Sequence, residues 1–372
     1  MKTSSTLNKV KPLEDLGEGI FLDKNENPFS LPPASMEEIR DSLPQIMLNR
    51  YPDPEYRKLR ECLSSVTGYS SNNIIVGNGG DELLWILFAA YVNPGDKVLT
   101  LEPTFSEYYH LSDVFKAEQR TVPLILDDNG FSIDEERFMD TISALCPSLV
   151  LIDSPNNPTG LSINSQFLDK ISRLSPSVTV IDEAYGEFAS DTYLGKSKGE
   201  DIPDGTVILK TLSKAWGLAG ARLGYAICSE DVMEKINHVR SPYNVNVITQ
   251  EVARIMLSYS EWMESRVSTI KYLRDKFISA LNAIPGWRAF KSNSNYILIR
   301  TDLDSTIVSQ SLEKLGIYIK DIKLPPSYVG NWFRVSVGKE EDMSLLLENF
   351  SKMTNLTNRN SISAAGDFPD IA

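Results

Sequence analysis

Along the middle of the chain, short apolar runs alternate with longer amphipathic stretches. The runs fall at residues 97–101 (KVLTL), 149–153 (LVLID), 178–182 (VTVID), 206–210 (TVILK) and 223–227 (LGYAI). Runs this short, bounded by Gly, Pro, Asn and Asp, predict buried strands. Helical segments between several of them predict a largely parallel, helix-covered sheet, so the central region is α/β. Past Pro242 the period changes: residues 247–284 read as long amphipathic helix, followed by strand-like NYILIRT (295–301) and WFRVSVG (332–338). That pattern predicts a smaller α+β unit with antiparallel character. The domains expected are an arm at 1–48 that packs with the small domain, a large domain at 49–240, a small C-terminal domain at 241–354, and a flexible polar tail at 355–372.

Composition narrows the function classes. The chain has 372 residues, of which 42% are apolar, enough for two or three domains that each bury a core. Lys and Arg number 37 against 50 Asp and Glu, and 37 − 50 = −13 argues against a nucleic-acid or anionic-membrane surface. No window approaches the roughly 20 apolar residues that a membrane span requires. The opening residues carry no apolar run of signal-peptide length. Cys62, Cys146 and Cys228 are odd in number and unrelated in spacing, which suggests reduced thiols rather than a disulfide framework. The expectation is a cytoplasmic protein. With only His110 and His238, and no paired-His pattern, no metal site is expected.

In open α/β sheets, ligands bind beyond the carboxyl ends of the strands, and four such ends carry polar residues. In VGNGGDE, a strand leads through Gly77–Gly80 into a helix opened by Asp81 and Glu82; free amides there suit a phosphate, although an ordinary capping turn explains the same residues. In DSPNNPTG (153–160), two prolines and a glycine set a turn that leaves Asn156 and Asn157 to present amides. In VTVIDEAYGEF, Asp182 and Glu183 end a β-branched strand, where a carboxylate is costly unless a cation pairs with it. The fourth is LKTLSKAWGLAGARLGY, with Lys214 among Thr211, Ser213 and Arg222. Hydroxyls and a guanidinium suit a phosphate, and a neighbouring cation would lower the lysine pKa toward a usable nucleophile. A phosphate cradle, an amide, a buried acid and an activated lysine together are what pyridoxal 5′-phosphate (PLP) requires.

The motifs SPNNPTG, DEAYGEF, TLSKAWGLAGARLGY and PYNVN resemble those of the fold-type I PLP-dependent aminotransferases. KNENPF, RYPDPEYRKLR, GNGGDE, PTFSEYY, NSNYILIR and FRVSVGKEED are similar to the histidinol-phosphate aminotransferase family within them, over residues 11 to 350. The resemblance implies a large domain built on a mostly parallel, seven-stranded-type sheet. It implies that Lys214 forms the Schiff base with the cofactor and then carries the proton, and that Asp182 pairs with the pyridinium nitrogen. Asn157 and Tyr185 would bond the ring oxygen, and Phe105 would stack on the ring. Gly80, Asp81, Thr211 or Ser213, and Arg222 would hold the phosphate. Tyr51 would reach the phosphate of a neighbouring subunit, which makes a homodimer part of the site. Arg334 would clamp a substrate carboxylate; an arginine in an apolar strand with no acid nearby in sequence points the same way.

Two positions depart from the family pattern. Leu13 stands where members carry a tyrosine that touches the substrate phosphate, and Lys320 stands where they carry an arginine. Lysine binds phosphate as a point charge, without the fork. Glu14 and Asp15 put negative charge beside Leu13, which suits a cationic side chain if they face inward and a solvated arm if they do not. The expected activity is amino transfer with 2-oxoglutarate and glutamate. The alternative is a PLP-dependent cyclase, eliminating enzyme or decarboxylase acting on a basic, guanidino-type amino acid. A catalytically silent PLP-fold protein is disfavoured by the intact set Lys214, Asp182, Asn157 and Arg222.

Overall fold

A computed structural model describes residues 19–198 and 201–363. Leu13 and Glu14 lie outside the described residues. A seven-stranded sheet organises the large unit, in the order Ile74–Gly77, Gly224–Cys228, Thr206–Thr211, Val178–Asp182, Leu149–Asp153, Lys97–Glu102, Glu118–Pro123. Gly224–Cys228 is antiparallel to both neighbours, and the other pairings are parallel. The unbroken apolar runs arise because both faces are covered. Val150 and Ile152 pack into one apolar cluster, while Leu149 and Leu151 pack into another on the opposite face.

Every strand expected for this sheet is present, and one more lies at its edge. Glu118–Pro123 (EQRTVP) alternates exposed with half-buried positions and buries only Val122 fully, so it lacks the apolar run that marks its neighbours.

The smaller unit holds a five-stranded sheet in the order Ile20–Leu22, Ile317–Ile322, Asn331–Ser336, Tyr296–Thr301, Trp287–Ala289. Its pairings are antiparallel except the first, where Ile20–Leu22 runs parallel to Ile317–Ile319 and brings the arm into this unit. The helix Ser260–Leu281 buries Met263, Val267, Ile270, Leu273, Phe277 and Leu281, a three-and-four spacing that lays one stripe on the core. The final helix, Glu340–Ser363, continues past residue 354, so the polar segment expected to be a flexible tail begins as helix. Among the described residues no helix is long and apolar enough to cross a membrane.

Candidate active site

Parallel pairing sets the strands 149–153, 178–182 and 206–211 to end along one edge, with Asp153 directly opposite Asp182. The turns that leave these ends enclose a cavity of about 210 Å³ lined by Lys214, Asp182, Tyr185, Asn157, Phe105 and Arg334, and by Gly80, Asp81, Thr211, Ser213 and Arg222. The sequence motifs therefore converge, as expected.

At one end lies a cup for an anion. The helix Gly80–Tyr91 opens after Gly79, whose φ of 89° suits glycine alone, and a Cβ there would come within 2.6 Å of the Arg222 guanidinium. A Cβ on Gly224 would lie 2.5 Å from the Gly80 nitrogen, so that glycine lets the antiparallel strand pass under the loop. Arg222 itself is held at φ 57°, and its Nη2 donates to Asp81 at 2.9 Å. Thr211 and Ser213 place their hydroxyls 3.0 Å apart in the same cup. Free amides at a helix start, two hydroxyls and a guanidinium fit the phosphate of PLP.

Opposite this cup, Lys214 donates to the Lys24 carbonyl at 3.0 Å, with its Nζ 5.8 Å from the centre of the Tyr185 ring. Its pKa is lowered to about 8 by burial first and the Arg334 charge second. The sequence calls for a neighbouring cation without naming one, and the structure supplies Arg334. Arg222 contributes least of the causes, because it is spent on Asp81 and the solvent at the cup's rim.

Asp182 and Glu183 part company although adjacent. Asp182 faces the cavity, where burial raises its pKa to about 6, and it accepts from the Tyr108 hydroxyl at 2.8 Å and the Ala184 amide at 3.0 Å. Glu183 points away, 3.8 Å from Lys210, which also pairs with Glu187 at 3.1 Å. The cation that this strand end needs is thus Lys210, and it serves Glu183. Among the described residues Asp182 has no salt bridge, so its carboxylate is free to pair with a cationic group of a ligand.

Asn157 accepts from Arg334 Nη1 at 2.7 Å, and Arg334 Nη2 donates to the Asp23 carbonyl at 2.9 Å. Arg334 is half-buried rather than fully enclosed. It borders both the inner cavity and an adjoining one of about 570 Å³, which contains Lys320, the strand partner of Arg334. Tyr51 is not in either cavity: it is 81% exposed and stacks on Tyr243 at 4.6 Å.

Four residues went unassigned in the sequence. Asp153 sits at a strand end of the same form as that of Asp182. Tyr108 follows Phe105 by one helical turn and holds Asp182 from behind. Asn25 donates to the Tyr185 hydroxyl at 2.9 Å, and Tyr296 packs edge-on against the Tyr185 ring at 4.9 Å. The repeated pattern LVLID and VTVID was the visible signal for Asp153; the others have none short of the fold.

A lysine amine and a buried acid at the ends of this helix-covered sheet, with an anion cup between their strands and the next, define a fold-type I PLP-dependent enzyme. The family model for aminotransferase class I and II matches residues 12–350, and the chain belongs to that family. It is 34% identical over 333 residues to the histidinol-phosphate aminotransferase of Thermoanaerobacter pseudethanolicus, covering 89% of this chain and 92% of the relative. It is 36% identical over 330 residues to that of Chromobacterium violaceum, covering 88% and 90%. The structure matches that of the Sinorhizobium meliloti histidinol-phosphate aminotransferase in complex with pyridoxal 5′-phosphate with a TM-score of 0.82 at 21% identity, over 96% and 98% of the chains. The protein is a PLP-dependent aminotransferase similar to the histidinol-phosphate aminotransferases.

Proposed function

We propose that this aminotransferase moves an amino group between glutamate, with 2-oxoglutarate as its oxo partner, and an amino substrate with an anionic far end, phosphorylated as histidinol phosphate is. The observation that carries this reading is the position of Arg334 on the border of two cavities, with Lys320 beside it in the strand ladder. Arg334 takes the carboxylate of glutamate; Lys320 takes the far anion of the other substrate as a point charge. The names of the relatives favour amino transfer over decarboxylation, elimination or cyclisation.

Bound PLP supplies an aldehyde that joins an amine and a ring that takes up the electron pair of a broken Cα–H bond. The chain's own groups do the rest. Lys214, whose amine has its pKa lowered to about 8, would be the group that holds the cofactor aldehyde and then moves the proton at the substrate Cα. Asp182 would keep the ring nitrogen protonated, Asn157 and Tyr185 would bond the ring oxygen, Phe105 would cover the ring face, and the cup of Gly80, Asp81, Thr211, Ser213 and Arg222 would hold the phosphate. In this reading the protein is a cytoplasmic homodimer, and the exposed Tyr51 reaches the phosphate of a second copy's cofactor.

The test is a half-reaction. Purified protein loaded with PLP is treated separately with glutamate, histidinol phosphate and arginine, and conversion to the pyridoxamine form is followed by the loss of the visible band. Glutamate and histidinol phosphate should each convert it and arginine should not. Conversion by arginine alone would replace the reading with the basic-substrate alternative.

A further inference from the structure

Behind the residues that face the cofactor, a second buried carboxylate ends its strand level with Asp182. Asp153 is 3% exposed and borders the inner cavity. Its Oδ1 accepts from the Thr104 hydroxyl at 2.9 Å and from the Asn156 side-chain amide at 2.9 Å, while Oδ2 accepts from the Asn157 backbone N–H at 2.7 Å. Asn156 is fixed in turn, since its Oδ1 accepts from the Thr159 hydroxyl at 2.5 Å. Asn157 accepts on its Oδ1 from Arg334, so its Nδ2 is left to donate into the cavity. One carboxylate therefore sets the turn, the turn sets which way the Asn157 amide faces, and the amide sets the Arg334 guanidinium.

We propose that Asp153 is a positioning residue for amino transfer, acting through Asn157 to aim one donor at the cofactor ring oxygen and to hold Arg334 in place for the substrate carboxylate. The inference deepens the reading given above and rests on it. Only an acceptor on both oxygens satisfies the three donors. In Asp153→Asn, an amide placed with Nδ2 toward Asn157 meets its N–H, and placed the other way it meets the Asn156 amide, which Thr159 holds in orientation. Either orientation sets donor against donor in a buried place, and the Asn157 turn has to move.

The test compares the parent, Asp153→Asn, Asn157→Ala and the double variant. A donor at the ring oxygen stabilises its negative charge once the neighbouring proton leaves, so Asp153→Asn should raise the pH midpoint of the visible lysine–cofactor band by about half a unit or more. It should also raise KM for glutamate by about tenfold with kcat falling less than about threefold, because Arg334 loses its alignment. In the Asn157→Ala background the same substitution should move the midpoint by less than about 0.3 unit and KM by less than about twofold, the mark of one residue acting through another. Unchanged midpoint and KM in a parent that otherwise behaves as proposed would overturn this inference alone; a parent with no visible band would overturn the earlier reading instead. Should Asp153→Asn fail to fold, Asp153→Ala removes the acceptor without setting an amide against a donor and carries the same readouts. If neither folds without cofactor, as judged by circular dichroism, Asp153 holds the fold rather than the site and the proposal fails.

Discussion

The inner and outer cavities share Phe105, Asn157 and Arg334 yet are built on opposite terms. In the inner one the polar groups already hold one another: Tyr108 holds Asp182, three donors hold Asp153, Arg334 holds Asn157, and Asn25 holds Tyr185. The outer cavity carries Lys320, Asp321 and Lys323, all exposed, whose side chains make no hydrogen bond among the described residues. Replacing an inner residue leaves a buried partner unsatisfied, whereas replacing an outer one loses only its contact with a ligand. The inner set therefore keeps one chemistry, and the outer set is free to change what it recognises.

That contrast predicts a steep gradient of mutational effects. Lys214→Ala should reduce kcat by at least about 10⁴-fold in a steady-state assay, since it removes the amine proposed to hold the cofactor and carry the proton. Asp182→Ala should retain PLP, by its visible spectrum, while losing about a hundredfold to a thousandfold in kcat, the scale of removing one preorganised charge. The rate at which cofactor-free protein captures PLP should rise about tenfold per pH unit up to about pH 8 and level off above it, because only the neutral Lys214 amine attacks and its pKa is lowered to about 8. The same shift has a stability consequence of fixed sign. Between about pH 8 and about pH 10.4 the unfolded chain binds more protons at this residue than the folded one, so the Lys214 contribution to stability rises across that window. At the outer cavity, Lys320→Ala should raise KM for a phosphorylated substrate by only about threefold to tenfold at unchanged kcat, and Lys320→Arg should lower it. An effect of Lys320→Ala as large as that of Asp182→Ala would erase the distinction between the two cavities.

What could be read in advance follows the same division. The strands of the large sheet announce themselves because burial on two faces forces unbroken apolar runs such as LVLID, and the strand ends announce the site because polar residues there have few structural uses. Glu118–Pro123 stayed hidden because it is largely uncovered and carries no such run, unlike the buried strand Ile74–Gly77 at the opposite edge. Lys214, Asp182, Asn157 and Arg222 stand in local motifs, so their convergence needed only the sheet. Tyr108, Asn25 and Lys210 are recognisable only by what they touch across the fold, and the cation that helps lower the Lys214 pKa could not be named from sequence for the same reason. Arg334 is 120 positions away from Lys214 in sequence, whereas Arg222 is close by.

The arm brings a last consequence. Asn25 and Ser336, and likewise Asp23 and Arg334, meet across 311 positions, and the Lys24 carbonyl between them receives the Lys214 amine. A nascent chain emerging in order can complete the seven-stranded sheet while the strand Asn331–Ser336 is still unmade, but Arg334 and the partner of Asn25 are not yet there. The cavity is thus completed by two segments from opposite ends of the chain, and the arm has its partners only once residues 334 and 336 are in place.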